Sequence, residues 1–361
     1  MNDANELISF IASMSGEGNL RVEENLGEGY VRLRVSEAER RQAKHDIQHV
    51  EDIVIEMLRN ARDAGADKVY LATTKEDGVR TLVFLDNGSG VPQDMQERIF
   101  DARVTSKLES MKMDRWGVHG RGMALFSIKQ NTDEARVVAS DVDLGSVFKV
   151  SVATDRLGER ADQSSWPQAV KDEDGHYFCA RGPHNIIRAA CEFALEELRA
   201  CDVYLGSPSE IAATLHAQAS SRLDASRLLF IDDEAELPVI DRLGLASDAE
   251  DFIRICSGLG LEMSERTAHR ILAGQIKPVR GVTTRLLRER DSSSHATAPV
   301  DLAKDRRGLR IAKDDMAQFS RAVERDFNDL ASRYYLNLCG DPKIRVSRDR
   351  ITVTFDLAKE E

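Results

Sequence analysis

The sequence predicts an α/β protein whose first part contains a mixed sheet covered by helices. Three stretches lead to this prediction: an amphipathic helix at 50–64, a strand at 79–85 that ends in a glycine-rich turn, and a second glycine-rich loop at 115–128 that opens a helix. The first stretch repeats its apolar residues at a helical period, and the second is rich in β-branched and apolar residues, as strands are. Alternating helices and strands favour a sheet with helices packed on it.

Length and composition limit the class of protein. A chain of 361 residues is long enough for two or three domains. It has 50 Lys and Arg against 62 Asp and Glu, so a nucleic acid would have to bind a local basic patch. No apolar run approaches the ~20 residues of a membrane span, and no signal-peptide pattern is present, so we expect a cytoplasmic protein without a membrane partner. The five cysteines lack metal or redox spacing and are expected to be reduced apolar residues.

The predicted helix at 50–64 carries three polar side chains along one edge. Glu56 and Asn60 are four residues apart and share a face, and Asp63 follows about one turn later. A solvated polar face would explain this pattern equally well if the helix stood alone. The interpretation as a binding site therefore depends on the neighbouring motifs.

Two glycine-rich motifs follow this helix. The strand at 79–85 runs into Asp86-Asn87-Gly88-Ser89-Gly90-Val91-Pro92, a tight turn that lets a ligand approach the backbone. Further along, the loop with Gly117, Gly120 and Gly122 opens a helix, and exposed N–H groups at a helix start predict an anion site. The order and spacing of all three motifs are more specific than any one of them.

Together these motifs resemble those of the GHKL ATPases, the superfamily that includes gyrase B subunits, heat-shock chaperones, histidine kinases and MutL. The resemblance spans roughly residues 45–155 and is closest to MutL and the topoisomerase VI B subunit. Segment 60–66 is similar to the first motif of MutL, 105–107 to the Thr-Ser-Lys of its lid, and 119–125 to its third motif. The resemblance implies a GHKL-type α/β sandwich, the Bergerat fold, with ATP and Mg²⁺ as cofactors.

The resemblance also implies roles for single residues. Glu56 would orient and deprotonate the attacking water, Asn60 would hold Mg²⁺ against the triphosphate, and Asp86 would accept a hydrogen bond from the adenine amino group. Ser146 stands where the family often has threonine, and a helix glutamate without a catalytic task stays an alternative for Glu56. The other residues implied to bind nucleotide are Asp63, Gly88, Gly90, Lys107, Gly117, Gly120 and Gly122. Lys107 could equally be a solvated lysine.

The surrounding elements complete a predicted ATP-binding domain, residues 1–155. A hairpin is expected at 20–35, and a capping-box pattern at 36–39 opens one long helix that carries the polar edge. Residues 93–116 are expected to form a mobile lid that closes over the nucleotide. Two strands between 137 and 152 complete the mixed sheet.

Residues 177–245 are predicted to form a small α/β region similar to the transducers of the MutL and topoisomerase relatives. An amphipathic helix is expected at 184–200 and a strand at 203–205. The segment starting at Ser207, with proline next and glutamate at the third helical position, predicts another helix. No motif in this region points to chemistry.

Residues 246–361 are predicted to be mainly helical. Helices are expected at 248–272, broken near 258–260, and at 314–338, with a hairpin at 344–355 closing the chain.

One stretch of this third region could bind DNA. Segment 264–290 contains seven basic and two acidic residues in an otherwise acidic chain, and its start loosely resembles a helix-turn-helix. DNA is therefore a candidate partner there. A solvated helix pair that docks on an acidic neighbour is an equal alternative.

The sequence thus predicts a slow Mg²⁺-ATPase in which nucleotide binding closes a lid and forms a homodimer, with a role in DNA repair, topology or other DNA handling. A chaperone that remodels a client protein is an alternative function. A regulatory module that senses ATP with little hydrolysis is another. The biological task must be argued from the site, because fold resemblance alone does not define it.

Overall fold

The computed structural model describes residues 22–106, 112–114, 116–119, 122–172, 175–223, 231, 233–287, 319–324, 327, 336–340, 342–346 and 351–359. The chain divides into two compact units between Arg288 and Glu289. The boundaries predicted near 155, 177 and 245 all fall inside the first unit.

The first unit contains twelve strands and seven longer helices within these described ranges. The strands are β1 (Val22–Gly27), β2 (Tyr30–Leu33), β3 (Lys68–Glu76), β4 (Val79–Asp86), β5 (Val104–Thr105), β6 (Lys112–Asp114), β7 (Gly117–His119), β8 (Glu134–Ser140), β9 (Ser146–Ala153), β10 (Gln168–Lys171), β11 (Tyr177–Arg181) and β12 (Asp202–Gly206). The helices are α1 (Glu37–Asp46), α2 (Val50–Asp63), α3 (Ala124–Asn131), α4 (Ile186–Glu196), α5 (Pro208–Arg222), α6 (Ala249–Gly258) and α7 (Glu265–Leu272). Residues 282–287 are also helical.

A mixed five-stranded sheet lies at the centre of this unit, as predicted. Its strand order is β12-β3-β4-β9-β8, with β12 parallel to β3 and the other neighbours antiparallel. In the β4–β9 pairing Asp86 lies opposite Ser146. The glycine-rich turn after β4 therefore meets the start of β9 at one edge of the sheet.

Helices cover both faces of the sheet, which confirms the predicted α/β sandwich. Side chains alternate along β4, so Leu82 and Phe84 pack with α2, α3 and α4, while Val83 and Leu85 pack with α5, α6 and α7. Strand β12, from the region predicted to be a separate small domain, extends this same sheet along β3.

The long helix expected from residue 36 onwards is two helices. The capping box of Ser36 and Glu39 is present and begins α1, as predicted. The chain then becomes extended at Ile47, and the Asp52 carboxylate accepts hydrogen bonds from the backbone N–H groups of Gln48 and His49, each at 2.8 Å. Asp52 thereby caps a new helix, α2, and this local hydrogen bonding overrides the continuous apolar period.

The first half of the predicted lid is part of the core. Short 3-10 turns at Gln93–Met95 and Arg98–Phe100 bury Met95, Ile99 and Phe100. The prediction of a moving lid therefore concerns the later residues of 93–116, of which 107–111 and 115 lie outside the described ranges.

The second unit contains short strands. β13 (Leu336–Leu338) pairs with β16 (Leu357–Lys359), and β14 (Lys343–Val346) with β15 (Ile351–Thr354). The closing hairpin is confirmed. The helix expected at 314–338 is wrong at its end, because 336–338 is a strand; residues 319–324 are helical. Residues 336–338 pair with β16 instead of continuing the predicted helix.

The cysteines agree with the prediction in most respects. Cys179, Cys191, Cys201 and Cys256 are buried, as expected for small apolar residues, whereas Cys339 is exposed. No helix in the described ranges is long and apolar enough to cross a membrane.

Candidate active site

A cavity of about 460 Å³ opens between α2, the turn after β4 and the start of α3. Its walls come from stretches that are distant in sequence, and most of the predicted site residues meet there. The predicted residues that line it are Glu56, Asn60, Asp63, Asp86, Gly90, Gly122 and Ser146.

The turn after β4 packs so tightly that two of its residues must be glycine. A Cβ atom on Gly90, whose φ is +71°, would lie 1.8 Å from the carbonyl oxygen of Asp141. A Cβ atom on Gly88 would lie 2.8 Å from the Cβ atom of Ala64 at the end of α2. Gly88 and Gly90 therefore hold this turn against two neighbouring segments and shape one end of the cavity.

Hydrogen bonds fix the polar corner around Asp86. This residue is only 4% exposed, and its Oδ1 accepts a hydrogen bond from the Gly88 N–H at 2.8 Å. Ser140 Oγ accepts from the Val91 N–H and donates to the Gly145 carbonyl, both at 2.8 Å. The corner is thus rigid, and it places a buried carboxylate where the sequence predicts an adenine partner.

The polar edge of α2 faces the cavity. Glu56 Oε1 accepts a hydrogen bond from Arg59 Nη1 at 2.7 Å, and its side chain keeps 22% exposure. The amide nitrogen of Asn60 is buried and has no hydrogen-bond partner among the described residues. Such an unmet group costs about 1–3 kcal/mol, so Asn60 is suited to a bound polar ligand.

Asn60 also fits the Mg²⁺ ion implied by the resemblance. A carboxamide oxygen is a hard ligand of the kind that Mg²⁺ prefers, and this ion takes one or two ligands from protein beside phosphates and water. Rotation about χ2 exchanges the positions of Oδ1 and Nδ2, so Asn60 can point its amide oxygen into the cavity.

Asp63 has a structural partner within the same helix. Its Oδ1 accepts a hydrogen bond from Arg62 Nε at 3.1 Å, and both side chains are less than a tenth exposed. Burial would lower the pKa of Arg62, but Asp63, Asp114 and Glu197 outweigh it, and the pKa is raised above its usual value. Asp63 therefore stabilises a buried cation at the cavity wall.

The glycine-rich loop is only partly described. Gly122 has φ +66°, its carbonyl accepts from the Arg103 N–H at 2.8 Å, and it leads into α3 at the cavity. Gly117 lies in β7, paired with Asp114. The predicted residues Gly120 and Lys107 lie outside the described ranges.

The comparison with protein families addresses these same walls. Residues 47–140 match the profile of a family described as "Histidine kinase-, DNA gyrase B-, and HSP90-like ATPase". The match contains α2, β3, β4 and α3, the elements that carry the motifs around the cavity. Residues 47–140 are thus similar to a GHKL ATPase domain. Most of the residues that line the cavity lie within the matched stretch, and we call the cavity the GHKL pocket for this reason.

Curated relatives resemble the same part of the chain. Proteins called "DNA mismatch repair protein MutL" from Staphylococcus aureus strains Newman, JH1 and Mu3 are each 28% identical over 136 residues. The alignment covers 35% of this chain and 20% of the relative. The chain thus matches about a fifth of the length of these proteins, and the likeness supports a MutL-like GHKL domain.

Sequence reasoning missed several residues of the GHKL pocket. Gln42 and Asp46 on α1 line it, and Gln42 Nε2 donates to Asp46 Oδ1 at 3.2 Å; their spacing of four would have placed them on one face. Tyr30 on β2 also lines the pocket. Burial raises the pKa of its phenol, and a hydrogen bond with Ser106, which acts in the opposite direction, offsets only part of this rise. No local signal identifies Tyr30, since its position depends on how β2 packs.

Proposed function

We propose that this protein binds ATP with Mg²⁺ in the GHKL pocket and hydrolyses it slowly. The observation that carries the proposal is the meeting of Glu56, Asn60, Asp86 and Gly122 around one cavity, although they come from three separate motifs. A solvated polar face on α2 would not require a buried carboxylate and a glycine-rich helix start on the opposite walls.

Different residues bind the adenine and the phosphates of the nucleotide. Asp86 accepts a hydrogen bond from the adenine amino group, in the rigid corner formed by Gly88, Gly90 and Ser146. The backbone around Gly122 and the first turn of α3 holds the phosphates, because unpaired N–H groups at a helix start attract anions.

Hydrolysis requires a positioned water and neutralised charge. Asn60 would hold Mg²⁺, which offsets the negative charge of the phosphates when bound. Glu56 orients the attacking water and accepts its proton, because its carboxylate lies one helical turn before Asn60 and retains access to the cavity. A positioned general base contributes about 10²–10⁴-fold to a rate.

Calorimetric titration tests the binding half of the proposal. The wild-type protein should bind ATP more tightly in Mg²⁺ than in EDTA, and Asn60→Ala should remove most of this difference. Asp86→Asn should weaken ATP binding and reduce the preference for ATP over GTP, because an amide offers the adenine amino group a donor or a weaker acceptor. Absence of ATP binding by the wild-type protein would refute the proposal.

We further propose that ATP closes the later part of the predicted lid, residues 106–116, over the pocket and brings two copies together. The support is the position of Ser106 and Trp116, at the two ends of this segment, on the cavity wall. Light scattering should give the mass of a dimer with a non-hydrolysable ATP analogue and the mass of a monomer with ADP. A monomer under both conditions would contradict this part.

A role in DNA handling is favoured by the surface of α7 and the chain that follows it. Arg266, Arg270, Lys277 and Arg280 are all exposed, while Ala268 and Ile271 of the same segment are buried in the apolar cluster where α7 packs on α5 and α6. The apolar face of α7 is therefore used for packing, and its basic face is left to solvent, where phosphate groups could bind.

Charge reversal tests the DNA role separately from ATP binding. Arg266→Glu with Arg270→Glu should weaken duplex binding and reduce the slope of log affinity against log salt by about two. ATP affinity should stay unchanged, because α7 lies on the sheet face opposite the pocket. Equal DNA binding by the variant would refute this role, and ATP-dependent capture of an unfolded client would favour the chaperone alternative.

A further inference from the structure

A buried arginine holds the proposed general base. Arg59 is 3% exposed, and its Nη1 donates to Glu56 Oε1 at 2.7 Å from three residues along α2. The same guanidinium also forms an ion pair with Asp114, with Arg59 Nε 3.0 Å from Asp114 Oδ2. Arg59 therefore bridges the Glu56 carboxylate to a residue outside the helix.

Asp114 belongs to the short hairpin of β6 and β7, which includes the end of the predicted lid and the start of the glycine-rich loop. Its Oδ1 accepts from the Trp116 N–H at 3.0 Å, and its Oδ2 also lies 3.1 Å from Arg62 Nη1. The Asp114 side chain is 5% exposed. One oxygen thus fixes Asp114 within the hairpin, while the other contacts both arginines of α2.

The hairpin has a second anchor beside the pocket. The Trp116 ring stacks on Phe193 of α4 with the ring centroids 6.4 Å apart, and Arg62 Nη1 lies 3.2 Å from Glu197 just after α4. The cluster contains two arginines and four carboxylates, so each guanidinium is shared between acids. Removing one arginine leaves a buried carboxylate without its nearest cation.

We propose that Arg59 is the positioning residue for Glu56 and that Asp114 holds Arg59, so that the β6–β7 hairpin sets the position of the general base. The inference rests on the proposed ATPase function. Its physical basis is that a base must lie within hydrogen-bond reach of the water it activates, and a displacement of about 1 Å can cost 10²-fold in rate. Arg59 does not itself take the proton.

Steady-state ATP hydrolysis by the full chain tests this role. In Arg59→Met, kcat should fall by about tenfold to a hundredfold, with KM and the affinity for ATP within about twofold of wild type. Arg59→Lys should recover part of kcat, because an ammonium keeps the charge but cannot bridge two carboxylates with the geometry of a guanidinium. Asp114→Asn should lower kcat less than Arg59→Met, since the isosteric amide retains the hairpin.

Two comparisons separate positioning from a general loss of structure. Adding Asp114→Asn to Arg59→Met should lower kcat little further, because both changes act through one contact. Arg80→Met is the matched control: Arg80 is also buried and ion-paired, with Glu159 at 2.8 Å, but does not line the pocket. It should lower the unfolding midpoint while kcat per folded molecule stays unchanged.

Three other results would count against the positioning role. Unchanged kcat in Arg59→Met and Arg59→Lys would overturn the role while leaving the ATPase proposal standing. A loss of ATP affinity equal to the loss in kcat/KM would overturn it as well, since Arg59 would then act on the nucleotide. No turnover by the wild-type protein would refute the proposed hydrolysis together with this inference.

Discussion

Alanine at Gly90 is the substitution whose effect follows most directly from the geometry of the pocket. The new Cβ atom would lie 1.8 Å from the Asp141 carbonyl oxygen, whereas real Cβ contacts stay above 3.0 Å. The turn and the segment at Asp141 must therefore separate by roughly 1.2 Å, in addition to the cost of about 1 kcal/mol for a left-handed non-glycine residue. Overpacking of this kind costs about 1–3 kcal/mol.

Gly78→Ala provides the matched control. Gly78 has φ +79°, close to that of Gly90, but a Cβ atom there would have no neighbour within 4 Å. It should lose only the conformational cost of about 1 kcal/mol, whereas Gly90→Ala should lose about 2–4 kcal/mol. Urea denaturation measures this difference.

Nucleotide affinity gives the second measurement on the same pair. Displacement of the turn moves Asp86, so Gly90→Ala should bind ATP at least about tenfold more weakly, which corresponds to 1.4 kcal/mol. Gly78→Ala should bind ATP as the wild type does. Equal stability and equal affinity of the two variants would refute the proposed role of this turn.

Two further predictions concern the stability of the fold away from the pocket. Burial alone would raise the pKa of Glu159, but Arg80 and Lys75 outweigh burial, and the pKa is lowered. The ionised carboxylate therefore stabilises the folded protein at pH values above the ordinary pKa of glutamate, and this stabilisation is lost as the pH falls through the lowered pKa. Glu159→Gln should destabilise the protein by about 3 kcal/mol near neutral pH, and this gap should narrow as acid protonates the wild-type carboxylate; a gap independent of pH in urea titrations would contradict the assignment. Phe252 is a fully buried residue of α6, and Phe252→Ala should lower the free energy of unfolding by about 3–5 kcal/mol. In a urea titration the transition in which the sheet unfolds should therefore shift to a lower urea concentration. Two separate transitions, with only one affected, would show that α6 is not part of the sheet's core.

The motif elements can be predicted from the sequence because their signals are local. The polar edge of α2 is predicted by the spacing of four between Glu56 and Asn60. The turn after β4 is predicted by its glycines, and the structure leaves no room for a Cβ atom at Gly88 or Gly90. The capping boxes at Ser36 and Ser207 are equally local, since a capping serine and a glutamate three residues on satisfy each other's backbone groups.

Long-range relations cannot be predicted in the same way. Nothing in the local pattern of 203–205 shows that β12 pairs in parallel with β3, and so the sequence alone predicts an independent region there. The Arg59–Asp114 contact joins residues far apart in sequence, and ordinary surface charge would explain both residues equally well. Such contacts depend on tertiary packing, which no single window of sequence contains.

The outer face of the sheet provides a further example. The amphipathic pattern of α7 is typical of a DNA-binding helix, yet its apolar residues Ala268 and Ile271 are buried in the cluster that also contains Val83 and Leu85 of β4, and α7 packs on α5 and α6. A helix that covers a sheet and a helix that binds DNA both need one apolar face. The basic face of α7 therefore stays a prediction to be tested with DNA.

ATP turnover by wild-type protein and Glu56→Gln, measured with parallel ATP binding, tests the central claim most directly. The amide keeps the shape of the side chain but cannot accept a proton from water, so kcat should fall by about 10²-fold or more while ATP affinity stays within a few-fold. The wild-type rate should require Mg²⁺. Equal turnover by Glu56→Gln would contradict the assignment of Glu56 as the general base.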